Sequence, residues 1–231
     1  MQQCCVNKIL YYLCMVIYKH IDMKKLTIAG VLILLVLQLS AQVRFGLGAG
    51  VIYSGWNVEV DGVSDNQYEG MFGFQAGLIT EMGLGSHLAF RPELNFVFKG
   101  TSVEHGDHHD AIEVMAVDIP LQLLFRGQLG NGRIFAGLGP NIGMNLEAHI
   151  HEDDHHHGNG HGHDHDKIVI GNDPGNLKRL DLGLRVLAGY DLGKRFTVSA
   201  FYTWGLNDLA PEEVLTIRSG YGGLAVGFFV L

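Results

Sequence analysis

Residues 133–147, RIFAGLGPNIGMNLE, alternate between apolar side chains and small or polar ones. The apolar positions are Ile134, Ala136, Leu138, Pro140, Ile142, Met144 and Leu146, and the opposite set is Phe135, Gly137, Gly139, Asn141, Gly143, Asn145 and Glu147. Because successive side chains of a strand point to opposite faces, this alternation predicts a β-strand with one oily face. Segments 87–99 and 180–191 show the same split. In all three, charges take the face that a soluble protein would bury.

Eight segments of this kind follow one another along the chain. The predicted strands are 43–54, 68–81, 87–101, 112–126, 133–148, 177–191, 195–205 and 217–231. Short turns alternate with longer connections at 55–67, 102–111, 149–176 and 206–216, as in outer-membrane barrels. Hydrocarbon offers backbone amides no hydrogen-bond partner, so strands cross it only in a closed sheet. The sequence therefore predicts an all-β fold, an eight-stranded antiparallel up-and-down transmembrane β-barrel with a filled polar interior.

The polar face is predicted to line this interior, with its charges paired to one another. The inward charged residues are Arg91, Glu93, Lys99, Asp118, Arg126, Asp181 and Arg185. Aromatic residues near strand ends are predicted to lie at the two membrane interfaces; they are Tyr53, Trp56, Tyr68, Phe125, Tyr190, Tyr202, Trp204 and Tyr221. A soluble lipocalin-type barrel is the alternative, but the polar face carries too many glycines and too few charges for a soluble exterior. The last strand is apolar on both faces, so its inward face stays open.

The first 41 residues are predicted to be processing signal. Residues 23–41 have a basic start at Lys24 and Lys25, an apolar run at 26–37 and a Leu-Ser-Ala cleavage site before Gln42. Residues 1–22 do not fit such a signal, which favours Met23 as the true start, with a long bipartite leader as the alternative. The mature domain, 42–231, would then contain none of the three cysteines, which all precede Met23.

Several motifs resemble the PorT-like outer-membrane barrel family of Bacteroidota. These are FGLGAGV at 45–51, FGFQAGL at 72–78, FRPELNFVFKG at 90–100, VDIPLQLLFR at 117–126, IFAGLGPNIG at 134–143 and the run from Asp181 to Tyr190. The resemblance covers nearly the whole mature chain and implies an outer-membrane location. It also implies, loosely, a part in protein secretion, since the founding member is linked to that process. A histidine-rich loop departs from the family's usual pattern.

Two histidine clusters, HGDHHD at 105–110 and HEDDHHHGNGHGHDHD at 151–166, lie in the second and third long connections. If both termini are periplasmic, these connections are external and neighbour each other around the barrel. Imidazole and carboxylate suit Zn²⁺ and other divalent transition metals. The candidate ligands are His105, His108, His109, His149, His151, Asp153, Asp154, His155, His156, His157, His161, His163, Asp164, His165 and Asp166. Because glycines interrupt the tract, we expect exchangeable binding of modest affinity, and no metal is expected to be required for folding.

Three functions stay open for this tract. It would bind metal for capture, buffering or sensing, it would be an incidental solvated loop on a structural, secretion-accessory or adhesion barrel, or it would sense pH near 6.5. The expected partners are outer-membrane lipid and a metal-uptake or secretion protein. No fixed nucleophile, base and orienter is evident, so the chain is not expected to be an enzyme. A net charge of −8 with scattered basic residues argues against a nucleic-acid partner.

Overall fold

The computed structural model describes residues 43–60, 63–65, 68–105, 108–152, 167–171, 173, 176–211 and 215–230. At 64, 65, 68, 103–105, 108–110, 151, 152 and 167 it describes the backbone alone. The leader and start-site predictions for 1–41 lie outside these residues. The strands are β1 Val43–Val60, β2 Val63–Asp65, β3 Tyr68–Gly83, β4 Leu88–His105, β5 His108–Leu129, β6 Gly132–Glu152, β7 Lys167–Ile168, β8 Leu180–Leu192, β9 Phe196–Gly205 and β10 Leu215–Val230.

Eight of these strands form a closed antiparallel ring in chain order. Each long strand pairs with the next, and β10 pairs with β1 from Phe45↔Val230 to Val60↔Leu215, which closes the sheet. The short strands β2 and β7 add to β1 and β6 at the rim. Closure satisfies the edge amides that an open sheet would leave unpaired. The predicted up-and-down eight-stranded barrel is confirmed.

Tight turns join the strands at the end of the ring where β1 begins and β10 ends. Gly130, between β5 and β6, and Gly193, between β8 and β9, adopt φ angles of 59° and 66°. These left-handed conformations are strained for residues with a Cβ, which explains glycine at both turns. We call the opposite end of the ring, where the longer connections lie, the mouth.

Side chains sort onto the two faces of the ring as the alternation predicts. Along β6, Leu138 is 54% exposed on the outer face, whereas Phe135 is 1% exposed on the inner face. Exposed apolar side chains recur on the outer face of the other strands, including Phe45, Leu47, Val51, Phe72, Leu123, Phe196, Leu224 and Val226. The outside of the ring is therefore an apolar surface, and the inside carries the polar groups.

Ion pairs inside the ring concentrate at the end with the tight turns. Glu81 Oε1 lies 2.5 Å from Arg44 NH2 and 2.9 Å from Arg126 NH1, and its Oε2 lies 2.5 Å from Arg91 NH2. Asp191, the second carboxylate of this cluster, accepts a hydrogen bond from Arg133 NH2 at 3.0 Å. Glu81 and Asp191 are 1% exposed. The sequence analysis assigned Arg91 and Arg126 to the interior, but it did not identify the two carboxylates that they contact.

A second buried polar group lies halfway along the ring. Lys99 Nζ donates to Asp181 Oδ2 at 2.7 Å, and Ser219 Oγ donates to the same oxygen at 2.7 Å. Tyr221 donates to Asp118, which also accepts from Asn141. The predicted pairing of Lys99 with another inward charge is thus present, with Asp181 as its partner.

Arg185 is held differently from the other inward cations. Its guanidinium carbon lies 3.7 Å from the centre of the Phe201 ring, and NH2 donates to Gln75 Oε1 at 3.3 Å. A ring face attracts a cation electrostatically, more so where water is excluded. Glu93 likewise has no ion pair among the described residues and accepts a hydrogen bond from Asn95.

Two of the predicted interfacial aromatics lie elsewhere. Tyr221 is 1% exposed and faces the interior, since β10 turns its odd-numbered residues inward. Trp56 is half-buried and packs against an apolar cluster at the mouth. Tyr53, Phe125, Tyr202 and Trp204 are exposed on the outer face, and their location at the membrane interfaces stays a prediction. The open inward face of the last strand is now assigned to Ser219, Tyr221, Gly223, Ala225, Gly227 and Phe229.

The described residues include no helix with the length and apolar character needed to cross a membrane.

Candidate metal-binding extension at the barrel mouth

The predicted long connection at 102–111 is mostly strand. β4 and β5 stay paired up to His105↔His108, so this part of the chain is a hairpin that continues the barrel wall. Thr, Val and Ile at 101–103 and 112–114 favour the extended conformation over a loop. The prediction of a ten-residue loop here was therefore wrong, although the cluster it carries does lie at the mouth end.

The same extension includes β6 and brings the first histidine cluster beside the start of the second. β5 and β6 stay paired through Glu113↔His149 and Ala111↔His151 to Asp110↔Glu152. Directly paired residues of antiparallel strands have Cα atoms about 4.5–5.5 Å apart. The first cluster and the start of the second thus lie on three adjacent strands of one sheet. We call residues 102–105, 108–113 and 147–152 the histidine extension.

A β-bulge sets which way His149 points. Met115 pairs with Glu147, but the next residue, Ala116, pairs with Asn145, so Leu146 is an extra residue in β6. A bulge shifts the alternation of the strand that contains it. Glu147 and His149 therefore have exposed side chains, 45% and 39%, while Ala148 between them is buried. The sequence alternation had placed Glu147 on the inner face, and the bulge reverses that assignment.

On the outer side of the extension, an imidazole lies beside carboxylates. His149 Nε2 is 3.8 Å from Glu147 Oε2, and Glu113, also exposed, is the ladder partner of His149. Imidazole nitrogen and carboxylate oxygen are the donor types that zinc accepts. Within the described part of the chain, however, no three His, Cys, Asp or Glu side chains are arranged to hold a metal ion.

Both ends of the histidine tract are anchored to β6. Ala148 pairs with Ile168 and His149 with Lys167, so the chain returns beside the point where it left. Residues 153–166 lie between these anchors and outside the described residues.

An apolar cluster lies at the mouth. Val114, Ala148, Leu177 and Leu209 are at most 3% exposed, and Trp56, Ile112, Ile168, Ile170 and Ile217 pack against them. A hydrogen bond from Lys178 N to Leu209 O joins the segments that precede β8 and β10, and one from Leu209 N to Ile217 O ties the second segment to β10. Residues 149–176 and 206–216 were predicted to be loops, and this cluster was not predicted. Its only signal was the apolar composition of the loop flanks.

The predicted ligands therefore fall into three groups. His149 is described with its side chain, whereas His105, His108, His109 and His151 are placed by backbone register alone. The remaining predicted ligands lie outside the described residues, namely Asp153, Asp154, His155, His156, His157, His161, His163, Asp164, His165 and Asp166. Metal coordination by these residues stays a prediction.

The outer face and closed ring define the class of protein as an integral membrane β-barrel. A family model described as "Outer membrane protein beta-barrel domain" matches residues 38–210, and the chain belongs to that family. Its apolar outer surface lies in the lipid of the outer membrane. A search of curated proteins finds no match to the chain.

Several solved barrels are similar in structure at low sequence identity. Ail of Yersinia pestis, solved in complex with the heparin analogue sucrose octasulfate, is 14% identical with a TM-score of 0.42, covering 82% of this chain and 99% of its own. OprG of Pseudomonas aeruginosa is 12% identical with a TM-score of 0.48, covering 81% and 94%. Neisserial surface protein A is 12% identical with a TM-score of 0.43, covering 80% and 96%. These likenesses are too weak to indicate what this chain binds.

Proposed function

We propose that this outer-membrane barrel binds a divalent transition metal, with zinc as the favoured ion, through the histidine extension and the tract at 153–166. Binding would serve capture, buffering or sensing of the metal outside the cell. Both termini would be periplasmic, after removal of the signal peptide, so that the mouth faces outward. The proposal assigns a binding role and no catalytic step.

The pairing of β5 with β6 up to Asp110↔Glu152 is the observation that supports this function most directly. It brings the backbone of the first histidine cluster beside the start of the second, which supports a site that takes ligands from both. The pairing of β4 with β5 runs up to His105↔His108, and the tract at 153–166 connects β6 to β7, which pair at His149↔Lys167. Three or four donors complete a zinc shell, and each cluster contains several.

The test is zinc binding to the purified mature protein in detergent, measured by calorimetry or competition with a chromogenic chelator. One variant replaces 153–166 with a Gly-Ser-Asn segment of equal length, which preserves the β6–β7 anchors. A second replaces His105, His108 and His109 with glutamine. We expect each to weaken zinc binding by at least about tenfold, since each removes ligands from a shared shell. The control is His87→Gln, which removes an exposed histidine at a tight turn.

Two results would oppose the proposal. If both variants bind zinc as the wild type does, any metal lies elsewhere. If the numbers of zinc ions lost by the two variants add up to the number bound by the wild type, the two clusters form independent sites. For the role in the cell, growth under zinc chelation is compared between wild type and the 153–166 replacement. Equal growth and equal cell-associated zinc would favour the alternative, a structural, secretion-accessory or adhesion barrel with an incidental histidine tract. A PorT-like secretion role belongs to that alternative.

A further inference from the structure

A groove of about 420 Å³ lies on the outer surface of the barrel, near the mouth. Its floor is main chain, because Gly55 of β1 and Gly220 of β10 are ladder partners there. Its walls are the exposed rings of Tyr53, Tyr202 and Trp204, which are 53%, 41% and 45% exposed. The groove is thus a ring-lined slot in an outer surface that elsewhere carries large exposed apolar side chains.

Sterics do not require glycine on this floor. A Cβ on Gly55 would meet nothing nearer than Gly70 Cα at 3.4 Å, and a Cβ on Gly220 would meet the Tyr202 hydroxyl at 3.1 Å. The first is an ordinary contact, and the second is with the end of a flexible side chain. By contrast, a Cβ on the inward-facing Gly223 would clash with the Val51 carbonyl. The two floor glycines leave open a space that side chains could occupy.

A cation lies at the mouth side of the groove. Arg218 is exposed, lines the groove and precedes Gly220 by one outward-facing position on β10. Its ladder partner is Asn57. Among the residues that the structure describes, no carboxylate forms an ion pair with Arg218. A guanidinium matches the geometry of phosphate oxygens, and tyrosine and tryptophan rings mark the level of the lipid head groups.

We propose that this groove binds an anionic phospholipid of the surrounding membrane, whose phosphate charge is not offset by a cation in the same head group. An acyl chain would lie over Gly55 and Gly220 between the aromatic rings, and the phosphate would pair with Arg218. Lipid is the occupant that the position favours, because the groove opens on the outer face of the ring and its cation lies on the mouth side of the aromatic rings. The match of one cation to one phosphate gives the charge complementarity, as in other basic lipid sites.

The chain's two tryptophans allow a direct test. Trp204 is a wall of the groove, and Trp56, which packs at the mouth, also borders it. The variant Trp56→Phe keeps an aromatic ring at that position and leaves Trp204 as the single reporter. The protein is placed in nanodiscs with a minor fraction of brominated phosphatidylglycerol or, at the same mole fraction, brominated phosphatidylcholine. We expect the anionic lipid to be enriched about fivefold at Trp204, seen as stronger fluorescence quenching. Arg218→Gln should abolish the preference, and Gly220→Leu should reduce quenching by both lipids.

The matched control is Arg195→Gln, which removes an exposed arginine at the tight-turn end of the barrel. It makes the same change in net charge and should leave the preference intact. Heat-modifiable gel migration checks that every variant is folded. Equal quenching by the two lipids, or a preference that survives Arg218→Gln, would overturn the proposal. Shielding of Trp204 from both lipids, accompanied by a dimer in cross-linking, would overturn it in favour of a second copy of the chain.

Discussion

Glu81 is predicted to be the side chain on which the buried ion cluster most depends. Its two oxygens lie 2.5–2.9 Å from three guanidiniums, and it is 1% exposed. With Asp191, it balances four arginines that contact these two carboxylates. Glu81→Gln keeps the shape of the side chain but removes one of the two negative charges in the cluster. Breaking a buried ion pair by removing one partner typically costs about 3–5 kcal/mol, so we expect a loss of that size.

The measurement is urea unfolding of the barrel in lipid vesicles, followed by tryptophan fluorescence and gel migration. Glu69→Gln is the control, since Glu69 lies on the same strand but is exposed, and its loss should cost at most about 1 kcal/mol. In a Glu81→Gln background, Arg91→Met removes one of the unbalanced charges and keeps the apolar stem beneath it. We expect the loss of unfolding free energy in the double variant to be smaller than the sum of the two single losses by about 1–3 kcal/mol. Equal losses for the two glutamate variants, or simple additivity, would refute the reasoning.

Three other predictions follow from packing and titration. Gly139→Ala should destabilise the barrel by about 1–3 kcal/mol in the same urea assay, because the added Cβ would clash with the Leu121 carbonyl. Gly127→Ala is the control, since a Cβ there meets nothing nearer than 3.7 Å, and its stability should be within about 0.5 kcal/mol of wild type. Leu209→Ala should cost about 2–5 kcal/mol and shift the emission of Trp56 to longer wavelength, since it opens the apolar cluster at the mouth; an unchanged spectrum would contradict this. Zinc binding should weaken steeply below about pH 6.5, because protonated imidazole is not a ligand, and pH-independent affinity would exclude histidine as the main donor.

The sequence predicted the barrel well because the lipid requirement acts on every residue of a strand. Each spanning segment repeats the same alternation, so Leu138 and Phe135 could be assigned to opposite faces without knowing their neighbours. Strand number followed from the same pattern. The failures occur where the alternation is interrupted, at the bulge beside Leu146, or where it ceases to distinguish the faces, as along β10 with Tyr221.

The candidate site was less predictable than the barrel. Composition alone identified the histidine clusters. Near His105 and His151 most residues are polar, so the alternation of apolar and polar side chains that indicates a strand cannot be recognised there. Whether those clusters meet depends on strand register, which is a relation between segments distant in the chain. The groove beside Arg218 was also invisible in the sequence, because its floor consists of glycines from two strands that pair only when the ring closes.

The amino-acid sequence by itself determined that this chain forms a membrane barrel with eight spanning strands and that imidazoles are concentrated between them. Each side chain of a spanning strand faces either lipid or the interior. Its polarity therefore indicates its face, and the assignment can be made one residue at a time. Tertiary structure alone decided which carboxylate each buried arginine contacts, how His149 comes to point outward and which glycines open a groove. Those features depend on distances between different strands, and only the closed hydrogen-bonded ring sets them.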